Sequence, residues 1–353
     1  MDIPLKQTVE IGPGNLKASF SSKTGQLKRL YNSKTGVEIP VQQSYLWYGS
    51  SVNSDQVPIK VMRGPLVDEI HQQFNSWISQ VIRIYKHKEH AELEFTIGPI
   101  PTKDSVGKEV ITKMTANMAT DKVFYTDSNG RDFLKRVRDY RANWDLQVTQ
   151  PVAGNYYPVN LGMYITDNKS ELSVLVDRAK GGASIKDGEI ELMLHRRLLS
   201  DDDRGVDEAL YETVCVESTC EGLTVRGNYY LGIHKNGDGS RWRRTTGQEI
   251  YSPLVLAFGH ENQEQWKASH ITKATIMNPK YSLPPNIALI TLQELDNGGV
   301  LIRLAHLYEA GEDVDYSKIT KVQLKEMFAG KRVIQLYNLA NIGNYFSLSL
   351  LID

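Results

Sequence analysis

The sequence predicts an all-β protein, because apolar and polar residues alternate along many short segments and turn signals separate these segments closely. In AELEFTI, residues 91–97, four apolar residues alternate with three polar ones, as a strand with one buried face requires. The same alternation occurs in NLKASF (15–20) and in ELSVLVD (171–177). Many short strands between glycine-containing turns are typical of sandwiches and barrels.

Turns are predicted where a glycine follows Thr, Asn or Asp, a combination that favours a reversal of the chain. The predicted turns are Thr24-Gly25, Thr35-Gly36, Asn129-Gly130, Asp187-Gly188, Asn236-Gly237 and Asn297-Gly298. One short helix is expected around residues 317–329, where Val322, Leu324 and Phe328 lie among lysines.

The length of 353 residues suggests two domains, at roughly 150 residues each. The character of the sequence changes near residues 245–255, where a basic run, Arg241-Trp242-Arg243-Arg244, is followed by the apolar SPLVLAF. We therefore assign residues 1–250 to a β-supersandwich domain and residues 251–353 to a C-terminal β-rich portion.

Composition limits the partners of the chain. The formal net charge of −1 gives no overall field that attracts nucleic acid or acidic membranes. No apolar stretch is long enough to span a bilayer. We expect neither nucleic acid nor a membrane as a partner. The first residues, MDIPLKQTVEIGPG, lack the pattern of a signal peptide, so we expect either a cytosolic protein or a processed piece of a longer one.

Two cysteines and one sequon bear on the compartment. Cys215 and Cys220 are spaced so that a disulfide can close a small hairpin, and two thiols alone make a poor zinc site. Two reduced cysteines in a cytosolic loop are the alternative. Asn168 begins the sequon Asn-Lys-Ser beside the turn-forming Asp167, so it is a candidate for glycosylation.

The densest polar cluster is HRRLLSDDDRGVDE, residues 195–208. Three consecutive acids, Asp201, Asp202 and Asp203, precede Arg204 and cannot lie unpaired in a core. One interpretation is a solvated loop between strands. The other is a loop in which Arg204 presents its planar guanidinium to a carboxylate or to sugar hydroxyls.

Two further clusters mix aromatic and charged side chains. Residues 124–140 carry arginines and aromatic residues, but Asp127, Asp132 and Asp139 offset the positive charge, which argues against nucleic-acid binding. In PVAGNYYPVN, residues 151–160, the prolines predict an edge or a turn, and its tyrosines are expected to cover the rim of the sandwich rather than a sugar.

Histidines give no catalytic or metal-binding motif, since neither an HExxH nor a His-x-Asp pair occurs. His87-Lys88-Glu89-His90 runs into an alternating strand, so exposure beside a turn is expected for it. A nucleophile elbow, a phosphate-binding loop and a dinucleotide fingerprint are also absent from the sequence. Residue chemistry alone thus indicates a β-sandwich without an obvious active site.

Several ordered blocks nevertheless resemble one family. FYTDSNGR, PVAGNYYPVN, VDRAKGGASIKDGEIELMLHRRLLSDDDRG and EFTIGPIP with GKEV are similar to the C-terminal half of the acid α-mannosidases of glycoside hydrolase family 38, in wording nearest to plant vacuolar members. The likeness runs from residue 9 to about residue 331. It departs in two places: a Ser-Gly-Ala-Tyr segment is missing after Gln56, and the residues beyond Lys331 do not match the family.

This resemblance implies a large galactose-mutarotase-like supersandwich with a smaller C-terminal β-sandwich portion. It implies a retaining exo-α-mannosidase that removes terminal α-linked mannose from N-glycans. Zinc, held by two His and two Asp, and the nucleophile belong to an N-terminal catalytic portion whose His-x-Asp and His-His-Asp motifs do not occur here. The chain alone is therefore predicted to be inactive, with no catalytic residue and no metal ligand of its own.

The resemblance also implies partners and one contribution to the substrate site. The expected partners are the N-terminal catalytic chain of the same precursor, a mannose-containing oligosaccharide and further copies of the heterodimer, in a vacuole, a lysosome-like compartment or the secreted space. The arginine of the family's Asp-Asp-x-Arg-Gly loop reaches the zinc-bound sugar, and Arg204 matches it, with Asp202 and Asp203 as orienting partners.

A stand-alone carbohydrate-binding β-sandwich is the alternative function, with four aromatic side chains as possible stacking platforms: Trp47, Tyr156, Tyr157 and Trp242. An independent sugar mutarotase is a weaker third hypothesis, because no positioned pair of a histidine and a carboxylate stands out.

Overall fold

The structure is a computed structural model that describes residues 7–48, 50–51, 56–203, 205, 207–271, 277–296, 300–328, 333–342 and 345–352. The chain forms two compact units, residues 1–243 and 244–353. The boundary predicted between residues 250 and 251 falls within a helix that spans Gly239–Tyr251, and it stays a prediction.

Strands make up most of the first unit. Those that the structure describes are, in chain order, β1 (Thr8–Ile11), β2 (Leu16–Ser21), β3 (Leu27–Asn32), β4 (Val37–Trp47), β5 (Ser50–Ser51), β6 (Ile59–Met62), β7 (Val67–Asn75), β8 (Ile78–Tyr85), β9 (His90–Ile97), β10 (Lys108–Ala116), β11 (Val123–Asp127), β12 (Phe133–Val137), β13 (Tyr157–Val159), β14 (Gly162–Thr166), β15 (Ser170–Val176), β16 (Lys180–Ala183), β17 (Glu189–Arg197), β18 (Thr213–Val216), β19 (Thr219–Gly222) and β20 (Val225–Lys235).

Two large antiparallel sheets form the first unit. The first sheet has the order β1-β2-β3-β4-β10-β17-β16-β13, and β5 pairs with β4. The second has the order β12-β11-β14-β15-β20-β9-β8-β7-β6. Strands β18 and β19 form a separate hairpin. Apolar side chains from both large sheets, among them Phe20 and Phe95, share one buried core.

A buried polar chain joins the two sheets through that core. Gln43 on β4 donates to Thr112 at 3.0 Å, and Tyr45 donates its hydroxyl proton to Gln80 on β8 at 2.8 Å. The Gln80 amide in turn donates to the Gln43 side-chain oxygen at 2.7 Å. Such bonds satisfy groups that would otherwise be costly to bury, and they fix one alignment of the facing sheets.

The second unit contains a smaller sheet and short helices. Its described strands are β21 (Ile287–Glu294), β22 (Val300–His306), β23 (Val333–Ile342) and β24 (Tyr345–Ile352), in the order β21-β22-β24-β23. Helix α1 (Gly239–Tyr251) enters this unit, and α2 (Gln263–Ser269) and α3 (Leu324–Met327) lie within it. Its core includes Ile302, Met327 and Phe328.

The predicted all-β class, with a large sandwich and a smaller C-terminal β portion, is confirmed. Strand β9 buries Ala91, Leu93, Phe95 and Ile97 as the alternation requires. Five of the six predicted turns have a glycine with positive φ, between 68° and 86°. The sixth, Asn297-Gly298, lies outside the described residues.

Helices agree less well with the sequence prediction. Of the helix expected at 317–329, the part that the structure describes, 317–328, contains only the four residues of α3, and α1 and α2 were not predicted. The expected exposure of His90 is also wrong. Its side chain is buried, because the Trp242 indole lies against it and donates from Nε1 to its Nδ1 at 3.2 Å.

Candidate functional site

The acidic loop leaves the end of β17 and returns before β18. Its base is closed by the Leu198 amide, which donates to the Leu210 carbonyl at 2.9 Å. Within it, the Asp201 carboxylate accepts the amide N–H of Asp203 at 2.7 Å and that of Glu208 at 3.2 Å. Asp201 thus organises the turn in the manner of an Asx motif.

The structure places the predicted site residues only in part. Asp202 and Asp203 are exposed in this loop, while Arg204 lies outside the described residues. The orienting role of Asp202 and Asp203 therefore stays a prediction. The sequence analysis named Asp201 among three consecutive acids but gave it no role of its own. Its carboxylate makes the local hydrogen bonds, and its position two residues before Asp203 was the available signal.

Rigid contacts hold the base of the loop. The Arg197 guanidinium, at the end of β17, donates to the Ile100 carbonyl at 2.9 Å and lies 4.2 Å from the centre of the Tyr211 ring. The Tyr211 hydroxyl is 3.1 Å from that of Thr102. These contacts tie both ends of the loop to the segment that follows β9.

A groove on the outer face of the first sheet begins beside this base. One depression, of about 470 Å³, is lined by Tyr48, Glu109, Tyr156 and others, and a second, of about 440 Å³, is lined by His195, Leu210, Glu212 and others. Three residues line both depressions: Gly181, Met193 and Arg196. The two depressions therefore form one continuous groove, which we call the Tyr48–Tyr156 groove.

Strand geometry brings distant residues together in this groove. Ile190 and Leu192 of β17 point into the core, so Glu191 between them faces outward. Tyr48 follows the last residue of β4, and its amide donates to the Glu109 carbonyl of β10 at 3.2 Å. Tyr156 directly precedes β13 at the edge of the same sheet.

One buried carboxylate fixes the two tyrosines. Glu191 is 3% exposed, and its Oε1 accepts the Tyr156 hydroxyl at 2.6 Å and also the Tyr48 hydroxyl. The two rings stand edge to face, with centroids 6.5 Å apart. Burial, reinforced by Glu191, raises the pKa of both phenols above their usual value. Both therefore stay protonated and act as fixed donors to the carboxylate.

The rim of the groove carries compensated charge. Arg196 lies 3.5 Å from Glu109 across the β10–β17 pair, and both side chains are partly exposed. In the second depression, burial lowers the pKa of His195, so this ring is neutral near pH 7. Its Nε2 is 3.0 Å from the Leu223 carbonyl, a geometry that assigns the proton to that nitrogen.

The other aromatic candidates serve in packing. Trp47 lies against Trp77 with centroids 5.5 Å apart, and Trp242 is held against His90. The Arg136 guanidinium carbon lies over the Tyr157 ring, 4.3 Å from the ring centre. Of the four proposed stacking platforms, Tyr156 is the one that lines the groove.

The two cysteines and the sequon have defined surroundings. Cys215 and Cys220 form a disulfide that joins β18 to β19. Asn168 is exposed in the turn between β14 and β15, where the Asp167 carboxylate accepts the amides of Lys169 and Ser170 at 2.8 Å. Glycosylation of Asn168 stays a prediction.

Metal ligands were not expected in this chain, and zinc was assigned to a partner. Among the residues that the structure describes, no group of three or more His, Cys, Asp or Glu side chains is placed to hold a metal ion. In the same part of the chain, no helix is both long and apolar enough to cross a membrane.

Comparison with known proteins identifies relatives. Residues 50–204 match the C-terminal domain of the glycosyl hydrolases of family 38. The chain is 66% identical over 356 residues to an α-mannosidase of Canavalia ensiformis and 40% identical over 334 residues to the lysosomal α-mannosidase of Mus musculus. These alignments cover 94% and 88% of this chain but only 36% and 32% of those relatives.

A solved structure shows the same fold. An α-mannosidase from Enterococcus faecalis V583 superimposes with a TM-score of 0.57 at 13% sequence identity. The superposition covers 86% of this chain and 37% of the bacterial one. The chain thus corresponds to about a third of each relative.

Proposed function

Because the chain belongs to the glycosyl hydrolases of family 38, as part of their C-terminal domain, we propose that it is the C-terminal part of a retaining exo-α-mannosidase that removes terminal α-linked mannose from N-glycans. The observation that carries this proposal is the 66% identity to an α-mannosidase over 94% of the chain. The chain spans about a third of that relative, and we assign the activity to a larger assembly that includes this chain.

In this proposal the bond-breaking chemistry lies outside the chain. A retaining glycosidase uses one carboxylate as nucleophile and a second as acid and then base. We assign both, together with the zinc ion that holds the terminal mannose, to an N-terminal catalytic chain of the same precursor. Zinc would supply fixed positive charge to the sugar hydroxyls.

The contribution of this chain is Arg204. A guanidinium offers several donors in a rigid plane, which suits paired oxygen acceptors on a sugar or a carboxylate. The hydrogen bonds of Asp201 and the closed base of the loop support a preformed loop on which Arg204 can act. Asp202 and Asp203 would orient the guanidinium.

The disulfide supports an oxidising compartment, and hence a vacuolar, lysosome-like or secreted location. We further propose that the heterodimer with the catalytic chain assembles into a higher oligomer. Native mass spectrometry of purified material tests both associations. A mass equal to this chain alone, under conditions in which the hydrolase is active, contradicts them.

Activity measurements test whether the catalytic residues lie in the partner chain rather than in this one. We expect hydrolysis of an aryl α-mannoside by the complex with zinc, and none by this chain alone. Hydrolysis by the isolated chain would mean that we have misplaced the active site.

The role of Arg204 is tested in the complex. Arg204→Ala should lower kcat/KM on the order of tenfold or more, the size expected when a charged hydrogen bond to the substrate is lost. Arg226→Ala, which removes an exposed arginine of β20, is the control and should leave kcat/KM unchanged. Full turnover by the Arg204→Ala complex would refute this role.

A stand-alone carbohydrate-binding sandwich is the second candidate, favoured by Tyr48 and Tyr156 in the groove. The packing contacts of Trp47 and Trp242, which are partly buried, reduce its support. Purification without a second chain, together with retained mannose affinity, would favour this candidate over the first.

A further inference from the structure

We propose that the Tyr48–Tyr156 groove binds a second hexose of a mannose-containing oligosaccharide, one that adjoins the terminal mannose in the substrate. This inference rests on the proposed function and extends it by a subsite within this chain.

The size and position of the groove suit a sugar unit. Each of its two depressions, about 470 and 440 Å³, falls in the range of small-molecule sites. Leu210 lines the second depression, and its carbonyl closes the base of the acidic loop. A chain of linked sugars can therefore extend from the loop along the groove.

Aromatic side chains give the groove an apolar surface. The C–H groups on one face of a pyranose are apolar and carry a slight positive charge, which matches the negative face of an aromatic ring. Tyr48 and Tyr156 stand edge to face, with centroids 6.5 Å apart, and both line the first depression. Met193, at the centre of the groove, adds a flexible apolar contact.

The charges of the groove select a neutral, hydroxyl-rich ligand. The charged side chains that line it are Glu109, Arg196 and Glu212, and the buried Glu191 carboxylate holds the two tyrosine hydroxyls, so carboxylates outnumber the one guanidinium. This balance disfavours phosphates and nucleic acids. Sugar hydroxyls donate to carboxylates and accept from guanidinium groups, and the groove offers both kinds of partner.

Contacts within the chain hold the side chains of the groove in place. The buried Glu191 carboxylate holds both phenol hydroxyls, so the rings need not be ordered on binding. Gly181 leaves the space that the Tyr156 ring occupies, since a Cβ at this position would lie 3.1 Å from that ring. A methyl group at residue 181 would therefore press on the Tyr156 ring and shift it by a few tenths of an ångström.

The direct test is titration of this chain with α-mannotriose, followed by heteronuclear NMR. We expect the amide signals of Tyr48, Tyr156 and Met193 to shift. Tyr156→Ala should weaken binding roughly tenfold, the change that follows from the loss of one aromatic stacking face. Gly181→Ala, which keeps every side chain of the groove, should weaken binding as well. Tyr140→Ala, which removes an exposed tyrosine outside the groove, is the matched control and should bind like the unmodified chain.

Kinetics of the complex separate this inference from the proposed function. We expect Tyr156→Ala and Gly181→Ala to reduce kcat/KM for mannotriose several-fold more than kcat/KM for an aryl mannoside, which has a single sugar. Equal losses on both substrates, or no shift of groove signals on titration, would overturn the subsite. A complex without any mannosidase activity would refute the proposed function, and the titration would still decide the subsite.

Discussion

Arg243 and Glu171 form an ion pair in which both side chains are almost completely buried, at 4% and 3% exposure. Glu171 belongs to β15, and Arg243 lies in α1, where its guanidinium is also 3.9 Å from the centre of the Tyr164 ring. The cation is thus held by a carboxylate on one side and an aromatic face on another.

Glu171→Gln should destabilise the first unit strongly, because it leaves the Arg243 cation buried without its anion. Loss of one partner of a buried pair costs about 3–5 kcal/mol. Urea denaturation of the chain, followed by tryptophan fluorescence, measures this loss. Glu38→Gln removes an exposed pair with Arg29 and should cost at most about 1 kcal/mol. Equal losses of unfolding free energy in Glu171→Gln and Glu38→Gln would contradict a stabilising role for the buried ion pair.

Asp127→Ala should also lower the free energy of unfolding strongly, since the buried Asp127 carboxylate accepts hydrogen bonds from four backbone amides. Its Oδ1 accepts those of Asn160, Leu161 and Gly162 at 2.8–3.0 Å, and its Oδ2 accepts that of Gly130 at 2.7 Å. Removal of the carboxylate leaves these amide donors without an acceptor and should lower the free energy of unfolding by about 3 kcal/mol or more. Thermal unfolding tests this, with Asp132→Ala as control; a Tm equal to that of the control would show the bonds to be unimportant.

Local pattern was sufficient for the strands and turns. In β9 the alternation of apolar and polar residues in the sequence predicts which side chains are buried. Gly36 and Gly188 each adopt the positive φ that their turns require. These features depend on neighbours in sequence. They could therefore be read without knowledge of the fold.

Helix α1 could not be predicted because its buried face is charged. Its buried residues include Arg243 and Arg244, and their anionic partners lie at least 65 residues away in sequence, Glu171 for the first and Glu309 with Glu312 for the second. An apolar stripe, the usual helix signal, is missing.

The groove could not be predicted either, because its residues lie far apart in sequence. Tyr48 and Glu191 are 143 residues apart, and only the pairing of β4 and β17 with β10 brings them together. The acidic loop was found because its residues are contiguous. The part played by Asp201 within it emerged only from the hydrogen bonds.

The disulfide gives a chemical prediction. The denatured chain should show no free thiol before reduction and two afterwards, as counted with a thiol reagent. Cys215 and Cys220 lie in an exposed hairpin, so Cys215→Ser with Cys220→Ser should leave the core of the first unit folded. We expect faster proteolysis between residues 213 and 222 in the double variant, with little change in Tm. Two thiols before reduction would rule out the disulfide.

His234 should make the first unit less stable in acid. Its ring is partly buried against Trp242, with centroids 5.2 Å apart, and its Nε2 is inaccessible to solvent. Its pKa is lowered to about 4, mainly by burial and to a smaller extent by the positive charge of Arg243. An unfolded histidine titrates near 6.5, so below that pH the unfolded chain binds a proton that the folded chain resists. Stability should therefore be full above about pH 6.5 and fall by roughly 3 kcal/mol as the pH approaches 4.

Replacement of His234 by a group that does not titrate separates this effect from that of the carboxylates. In His234→Gln the free energy of unfolding should depend less on pH between about 6.5 and 4, because the proton uptake on unfolding is lost. Urea titrations at a series of pH values measure the slope. His87→Gln, at an exposed position before β9, should keep the slope of the unmodified chain. Identical slopes in all three proteins would show that the protonation of His234 does not control acid stability.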